Sequence, residues 1–399
     1  MPKLLRFAVI VICLASTGAH GGTNTLGGRH AEGRATESSP RGQLPLTKFY
    51  DTPVPFSAGK PGELIRSEPF SDYYLPAGVS AMRILYHSVA ANGQDVAASG
   101  VVLTPDGTPP AGGWPVIAWA HKFLGIARTC APSLMSNLHS GPFLGMYVNL
   151  GYAIVATDYL GLGTVFRNAY VDVGSNASDV MYSVPAARAA LPQLGLRWVA
   201  MGDAEGGAAV LALAEIESHE NDPNFLGSVA ISGAIDLKST LYRPSRGLWK
   251  DSFAALAYGI ETVYPEFHVD DILKEKALAR YREIGSTCSL REDDHAPPLG
   301  DMLKASWESD PYVGRFLQRN VLGLSHARTP LMVISGEDPV ADASMAAQVV
   351  NRMCHQKDRV DFERYPGLEA ADVIGGSVAG QIAWIKGRFS GQPIRNTCP

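Results

Sequence analysis

The sequence predicts an α/β fold built on one mostly parallel sheet of eight strands, with a helical segment inserted late in the chain. Three observations predict it. Short apolar runs bounded by turn residues recur along the chain, as buried parallel strands do. Helical patterns alternate with them, which places helices against a parallel sheet. Roughly a hundred residues then separate the last pair of neighbouring runs from the next. That interval is too long for a structureless loop.

Composition sets the outer limits. The chain has 399 residues, 46% hydrophobic and 18% charged, with a formal charge of −5. A core-forming apolar content excludes a disordered chain. The mild negative charge lacks the basic footprint of a nucleic-acid binder, so no nucleic-acid partner is expected.

The elements follow in order. Lys3 and Arg6 precede an apolar run from Phe7 to Ala15, and Thr17-Gly18-Ala19 follows as a small-residue site. This is the layout of a cleaved signal peptide over residues 1–19. The run is too short to span a bilayer. No later run is long and apolar enough, so no transmembrane segment is expected. The chain is expected to be secreted or periplasmic. Residues 20–48, rich in Gly, Ser, Thr and Arg without periodicity, read as a disordered lead-in to a domain over 49–399.

Two β-rich segments, near 81–89 and 95–103, are joined by Ala91-Asn92-Gly93, a hairpin signal. Runs at 115–120, 152–157, 197–201, 227–232, 330–335 and 359–364 complete the strands. Helices are expected near 176–191, 208–218, 343–353 and 378–389. The long interval, about 236–325, carries helical patterns near 250–263, 270–284 and 310–319. It also carries the aromatic residues Trp249, Phe253, Tyr258, Tyr264 and Phe267. A helical cap over one end of the sheet is the expectation.

Cys13 lies in the leader. Cys130, Cys288, Cys354 and Cys398 remain, and four cysteines in an exported chain point to two disulfides. Of the three pairings, Cys130–Cys288 with Cys354–Cys398 is preferred, because the second would tie the tail to the last helical region. No CxxC or paired-histidine spacing marks a metal site, and no Gly-rich loop marks a phosphate site. No cofactor is expected.

The chemistry sits at a turn. Trp198 to Ala200 reads as a strand and Gly206 onward as a helix. Between them runs Gly202-Asp203-Ala204-Glu205-Gly206-Gly207. Strand count and order resemble the α/β-hydrolase fold, whose esterases carry Gly-x-Ser-x-Gly at this turn. The glycine frame is intact, and Ala204 occupies the nucleophile position.

Longer stretches match as well. They are Trp119-Ala120-His121 with Gly125 to Ser133, Gly151 to Tyr159 with Gly161-Leu162-Gly163, and Tyr365-Pro366-Gly367 with Ala383-Trp384-Ile385 and Arg388-Phe389. Over roughly residues 80–395 the chain resembles the secretory lipases of fungi and bacteria. That resemblance implies a helical cap, a Ser–Asp–His triad, and lipid or ester substrates.

The triad order of this fold, nucleophile then acid then histidine, tests the remaining positions. Asp338, in Gly336-Glu337-Asp338-Pro339, fits the acid, with Glu337 beside it. The histidine should follow Tyr365-Pro366-Gly367, where Ala370 stands instead. No histidine occurs after His355. The oxyanion loop departs too. It reads His121-Lys122-Phe123-Leu124-Gly125, with bulky side chains where small ones let amides face a developing negative charge. Asp203 and Glu205 flank Ala204 and would oppose such a charge. Lys122 is expected to pair with one of them. Asp158 and Tyr159 end the fourth strand and are expected to line the cleft or form the turn before Gly161. Asn176-Ala177-Ser178 reads as a glycosylation sequon or as a helix start.

With both serine and histidine replaced, the sequence points to a non-catalytic protein whose cleft holds an apolar or ester-like small molecule. The alternative is an active lipase or esterase that uses other residues.

Overall fold

The computed structural model describes residues 42–242, 252–288, 299–337, 343–369 and 372–399. The expected leader, most of the lead-in, Trp249, Asp338 and Ala370 lie outside the described residues.

The strands are β1 (Leu64–Pro69), β2 (Val79–Val89), β3 (Asp95–Pro105), β4 (Trp114–Ala120), β5 (Ala153–Thr157), β6 (Leu194–Asp203), β7 (Phe225–Ile231), β8 (Leu331–Glu337) and β9 (Val360–Pro366). They form one sheet in the order β1-β2-β3-β5-β4-β6-β7-β8-β9. β2 is antiparallel to β1 and β3, and β3 is antiparallel to β5. From β5 to β9 every pairing is parallel. This is the α/β-hydrolase fold.

The eight expected strands are all present, and a ninth precedes them. β1 is an edge strand with no apolar run. Its pairing with β2 is irregular between Leu64 and Arg66, and it ends at Pro69. Short, polar, bulged and proline-ended edges are how sheets avoid further pairing. The same devices erase the apolar pattern that reveals the buried strands. The ordered chain also starts before Phe49, since Leu44 N–H donates to Leu134 O at 2.7 Å.

Described helices are α1 (Gly141–Asn149), α2 (Val173–Ala190), α3 (Glu205–Glu220), α4 (Leu237–Tyr242), α5 (Ser252–Val263), α6 (Val269–Ile272), α7 (Glu275–Ile284), α8 (Leu299–Met302), α9 (Pro311–Arg319), α10 (Ala343–His355), α11 (Val373–Gly376) and α12 (Val378–Phe389). The sheet's two faces carry separate apolar layers. Ala118, Val155, Trp198 and Ala200 pack with Val180, Val184, Val210 and Leu213 from α2 and α3. Ile117, Trp119, Val199 and Met201 pack with Leu144, Tyr147, Trp384 and Ile385 from α1 and α12. Period-two alternation along β6 divides its side chains between these layers.

Helices α4 to α9 lie between β7 and β8 and hold their own core, including Phe253, Leu256, Ile260, Phe267, Trp307 and Phe316. The single helix expected near 270–284 is two. Leu273 breaks it by bridging to Leu303, while Lys274 N–H donates to Met302 O at 2.9 Å. Three ties fasten this insertion to the sheet-borne loops. Cys130 and Cys288 are disulfide-bonded. Arg319 Nε lies 2.6 Å from Oδ2 of fully buried Asp172, which also caps α2. A Cβ on Gly259 would lie 2.5 Å from Tyr170 O, so α5 rests directly on that backbone. Cys354 and Cys398 form the second disulfide, so the preferred pairing is the one present.

Candidate functional site

The turn from β6 into α3 is a nucleophile elbow in backbone geometry. Ala204 has φ 49° and ψ −109°. Non-glycine residues rarely occupy this region, and holding one there costs on the order of 1–3 kcal/mol. The surroundings enforce it. Ala204 N–H donates to Ile231 O at 2.8 Å, and Ala204 O accepts from Ala208 N–H at 3.0 Å. A Cβ on Gly202 would lie 2.2 Å from Gly206 O, and one on Gly206 would lie 2.0 Å from Ala120 O. Gly207 and Gly233 abut so closely that a Cβ on Gly233 would sit 2.2 Å from Gly207 C. Strand, turn and helix fit only without side chains at these points. The glycines read from the sequence are therefore required by backbone contact. Ala204 contributes only a methyl group where the fold carries a nucleophile.

Three carboxylates stand near this turn, and their environments differ. Glu205 Oε1 accepts from Val171 N–H and from Asn176 Nδ2, each at 3.0 Å. Burial still pushes its pKa up to about 7. Asp158 is 1% exposed and accepts from Ser133 N–H at 2.9 Å, Ser133 Oγ at 2.5 Å and Ser99 Oγ at 2.6 Å. Arg83, also 1% exposed, reaches the same knot. Its guanidinium donates to Tyr73 Oη at 2.9 Å and Ser133 O at 3.1 Å and lies over the Phe70 ring. Asp203 is 8% exposed, and no side chain among the described residues hydrogen-bonds its carboxylate. Burial pushes it up to about 6, and the positive charge of Lys122 opposes that rise.

Several expectations change here. Lys122 forms no ion pair with Asp203 or Glu205 among the described residues; it acts on Asp203 only at longer range. Glu205 turns instead to α2 and the loop before it. Asp158 and Tyr159 do not line a cleft. Each is 1% exposed, because the hydroxyl–carboxylate knot and the stacking of Tyr159 on His121 (centroids 4.2 Å apart) bury them behind the loop. Asn176 is 2% exposed and bonded to Glu205, so the sequon faces inward and Asp172, not Asn176, caps the helix.

His121 follows β4 beside the elbow. Its Nδ1 lies 2.6 Å from Lys122 O and its Nε2 lies 3.2 Å from Asp158 O. Both ring nitrogens therefore face carbonyls, and neither is turned to a reacting group. Burial pulls the ring's pKa down to about 4. Two His–Asp pairs exist elsewhere, His87–Asp95 and His326–Asp358, each at 2.8 Å. Neither adjoins the elbow. The oxyanion loop is clamped by the insertion: Gly125, at φ +113°, leaves no space for a Cβ, which would fall 2.5 Å from Cys288 Cα. Phe123, Tyr170 and Tyr258 pack around Ile126, Ala255 and Ile284 at the same junction.

The sequence did not reveal the Arg83–Tyr73–Ser133–Asp158–Ser99 network. Its members are scattered over β2, β3 and three connecting segments, and no local pattern joins them.

No protein-family model matches the chain, and no curated protein matches it in sequence. Solved structures do match. The rice cell wall degrading esterase LipA from Xanthomonas oryzae aligns with TM-score 0.68 at 18% identity, covering 84% of this chain and 100% of that one. Candida antarctica lipase A in its closed state aligns with TM-score 0.74 at 16% identity, covering 89% of each chain. At such identities the likeness carries the fold, and that fold is shared with lipases and esterases.

Proposed function

We propose that this chain is an exported, non-catalytic member of the lipase-like α/β-hydrolases, and that it binds an apolar or ester-like small molecule over Ala204 beneath a helical cap formed by the insertion. The observation that carries the reading is Ala204 itself. The elbow keeps its strained backbone and its enforcing glycines, yet offers no nucleophilic atom. A serine hydrolase without nucleophile and base loses several orders of magnitude in rate. His121 is no substitute base, since each of its ring nitrogens lies against a backbone carbonyl rather than a reacting group. Asp338 at the acid position and Ala370 at the histidine position complete the reading from the sequence. Two disulfides and the absence, among the described residues, of a helix able to cross a membrane accord with export.

Hydrolysis of p-nitrophenyl esters of short and long acyl chains tests the proposal. The chain as it stands should give no turnover above background. The double reversion Ala204→Ser with Ala370→His should give measurable turnover, because the elbow that positions residue 204 persists. Turnover by the unmodified, purified chain would overturn the reading.

A further inference from the structure

The parallel strands β4 to β9 all begin at the end of the sheet away from the elbow, which follows the last residue of β6. At that end β6 does not run straight. Trp114 pairs with Leu194 and Val116 with Trp198, so β6 advances four residues while β4 advances two. The surplus backbone carries Leu196 and Arg197 outward. Leu196 is 63% exposed, and Arg197 is exposed beside it. Leu150, which precedes β5, is 51% exposed at the same end. Phe389, the last residue of α12, joins the two. Its ring lies 5.6 Å from that of Tyr152 and 5.9 Å from the Arg197 guanidinium carbon.

Cations continue from there across the sheet. Arg197 donates to Phe389 O at 2.5 Å and to Arg388 O at 3.1 Å, which seats it on the C-terminus of α12. Lys386 and Arg388 occupy the last turn of that helix. The Arg388 guanidinium lies 5.3 Å from the centre of the Trp384 ring, and that ring rests on β7, 3.1 Å from where a Cβ on Gly227 would stand. Arg328 and Arg359 precede β8 and β9, and Arg359 donates to Arg328 O at 3.0 Å. The positive groups thus run over the beginnings of β6 to β9, three strand spacings or about 15 Å. A helix C-terminus accounts for Lys386 and Arg388. It does not account for Arg328 and Arg359, which belong to other elements. None of the five forms an ion pair among the described residues, and their hydrogen bonds go to backbone carbonyls. Carboxylates at this end are engaged elsewhere. Asp222 accepts from Trp198 Nε1 at 2.8 Å, Asp361 from Arg395 at 3.0 Å and Asp106 from Ser80 Oγ at 2.6 Å. In a chain of formal charge −5, this end gathers the opposite sign.

We propose that this end of the sheet docks on an anionic phospholipid surface, with Leu150 and Leu196 entering the headgroup layer and the row of cations meeting lipid phosphates. Guanidinium groups match phosphate oxygens in charge and in geometry. Each cation held near an anionic membrane strengthens attachment about fivefold. The leucines decide between lipid and a water-soluble polyanion, because only lipid takes them out of water. Neither signal suffices for stable attachment alone, and the two together do. The face lies the length of β6 away from Ala204, so the proposal is independent of what the cleft binds. The elbow then points away from the membrane.

Co-sedimentation of the full, disulfide-intact protein with vesicles tests this, at about 0.1 M salt, where charges are screened over about 10 Å. Vesicles of equal parts phosphatidylglycerol and phosphatidylcholine should bind about tenfold or more tightly than phosphatidylcholine alone. Arg328 and Lys386 make no side-chain hydrogen bond or ion pair among the described residues, so the variant Arg328→Gln with Lys386→Gln keeps the fold. It should weaken binding to the anionic vesicles about tenfold. Leu196→Gln should weaken it about tenfold as well. Lys276→Gln removes an exposed cation from α7 of the insertion and should leave binding unchanged. A loss in Lys276→Gln as large as in the double variant would place the contact elsewhere and overturn the proposal. Weakening by the double variant without weakening by Leu196→Gln would assign the face to a water-soluble polyanion and overturn the lipid assignment. Equal binding to both vesicles, or binding to neither, overturns the proposal outright.

Discussion

Asp158 and Asp203 end strands of one sheet and are both almost fully buried, yet they face opposite circumstances. Asp158 is held by two serines, with Arg83 reaching the same knot through Ser133. No side chain among the described residues donates to Asp203, and Lys122 acts on it from a distance. The first arrangement gives both carboxylate oxygens donors and fixes the loop carrying Ser133. The second leaves a buried carboxylate short of donors, which costs stability. The contrast separates architecture from site without appeal to the absent triad.

Breaking the shared frame gives the largest effect. Gly206→Ala drives a Cβ to within 2.0 Å of Ala120 O, a backbone atom with no room to yield. A loss of more than about 3 kcal/mol, or no folded protein, is expected in chemical denaturation. Gly300→Ala, with no heavy atom within 4 Å of the new carbon, is the matching control and should shift stability by less than about 0.5 kcal/mol.

The structural half of the comparison breaks next. Arg83→Met removes hydrogen bonds to Tyr73 and Ser133, the ion pair with Glu68 at 3.3 Å, and a positive charge that favours ionised Asp158. About 3 kcal/mol of destabilisation is expected, read from the urea midpoint. Met keeps much of the packing against Phe70, so a loss below about 1 kcal/mol would show the network to be incidental.

The smallest effect sharpens the contrast through pH. Burial holds Asp203 up at about 6 and Glu205 at about 7. A carboxyl raised in the folded state keeps its proton where the unfolded chain has lost it. Its contribution is full below the unfolded value near 4 and disappears as pH rises through the folded one. Stability should therefore fall between about pH 4 and about pH 7. Asp203→Asn cannot ionise and should flatten that fall by on the order of 1–2 kcal/mol, seen as a smaller change in Tm. An unchanged slope would mean that Asp203 is ionised already at low pH.

Which parts of this were readable in the sequence follows from what sets each feature. The interior strands from β3 to β8 were, because their burial demands apolar runs. β1 was not, since an edge strand is defended by polar residues and a proline. The elbow was readable because backbone contact admits only glycine at 202, 206 and 207. The standing of each carboxylate was not. The hydroxyls that satisfy Asp158 lie 59 and 25 residues away, and Glu205 is satisfied from a loop and helix 34 and 29 residues away. Only folding assembles those partners; among the described residues Lys122 closes no ion pair with either acid, though its charge acts on Asp203.

The central claim, that a complete elbow stands without its nucleophile, is tested most directly by intact mass after treatment with an alkyl fluorophosphonate. The unmodified protein should keep its mass, while the Ala204→Ser, Ala370→His variant should gain one phosphonyl adduct on residue 204. A stoichiometric adduct on the unmodified protein would contradict the account and reveal a nucleophile elsewhere in the chain.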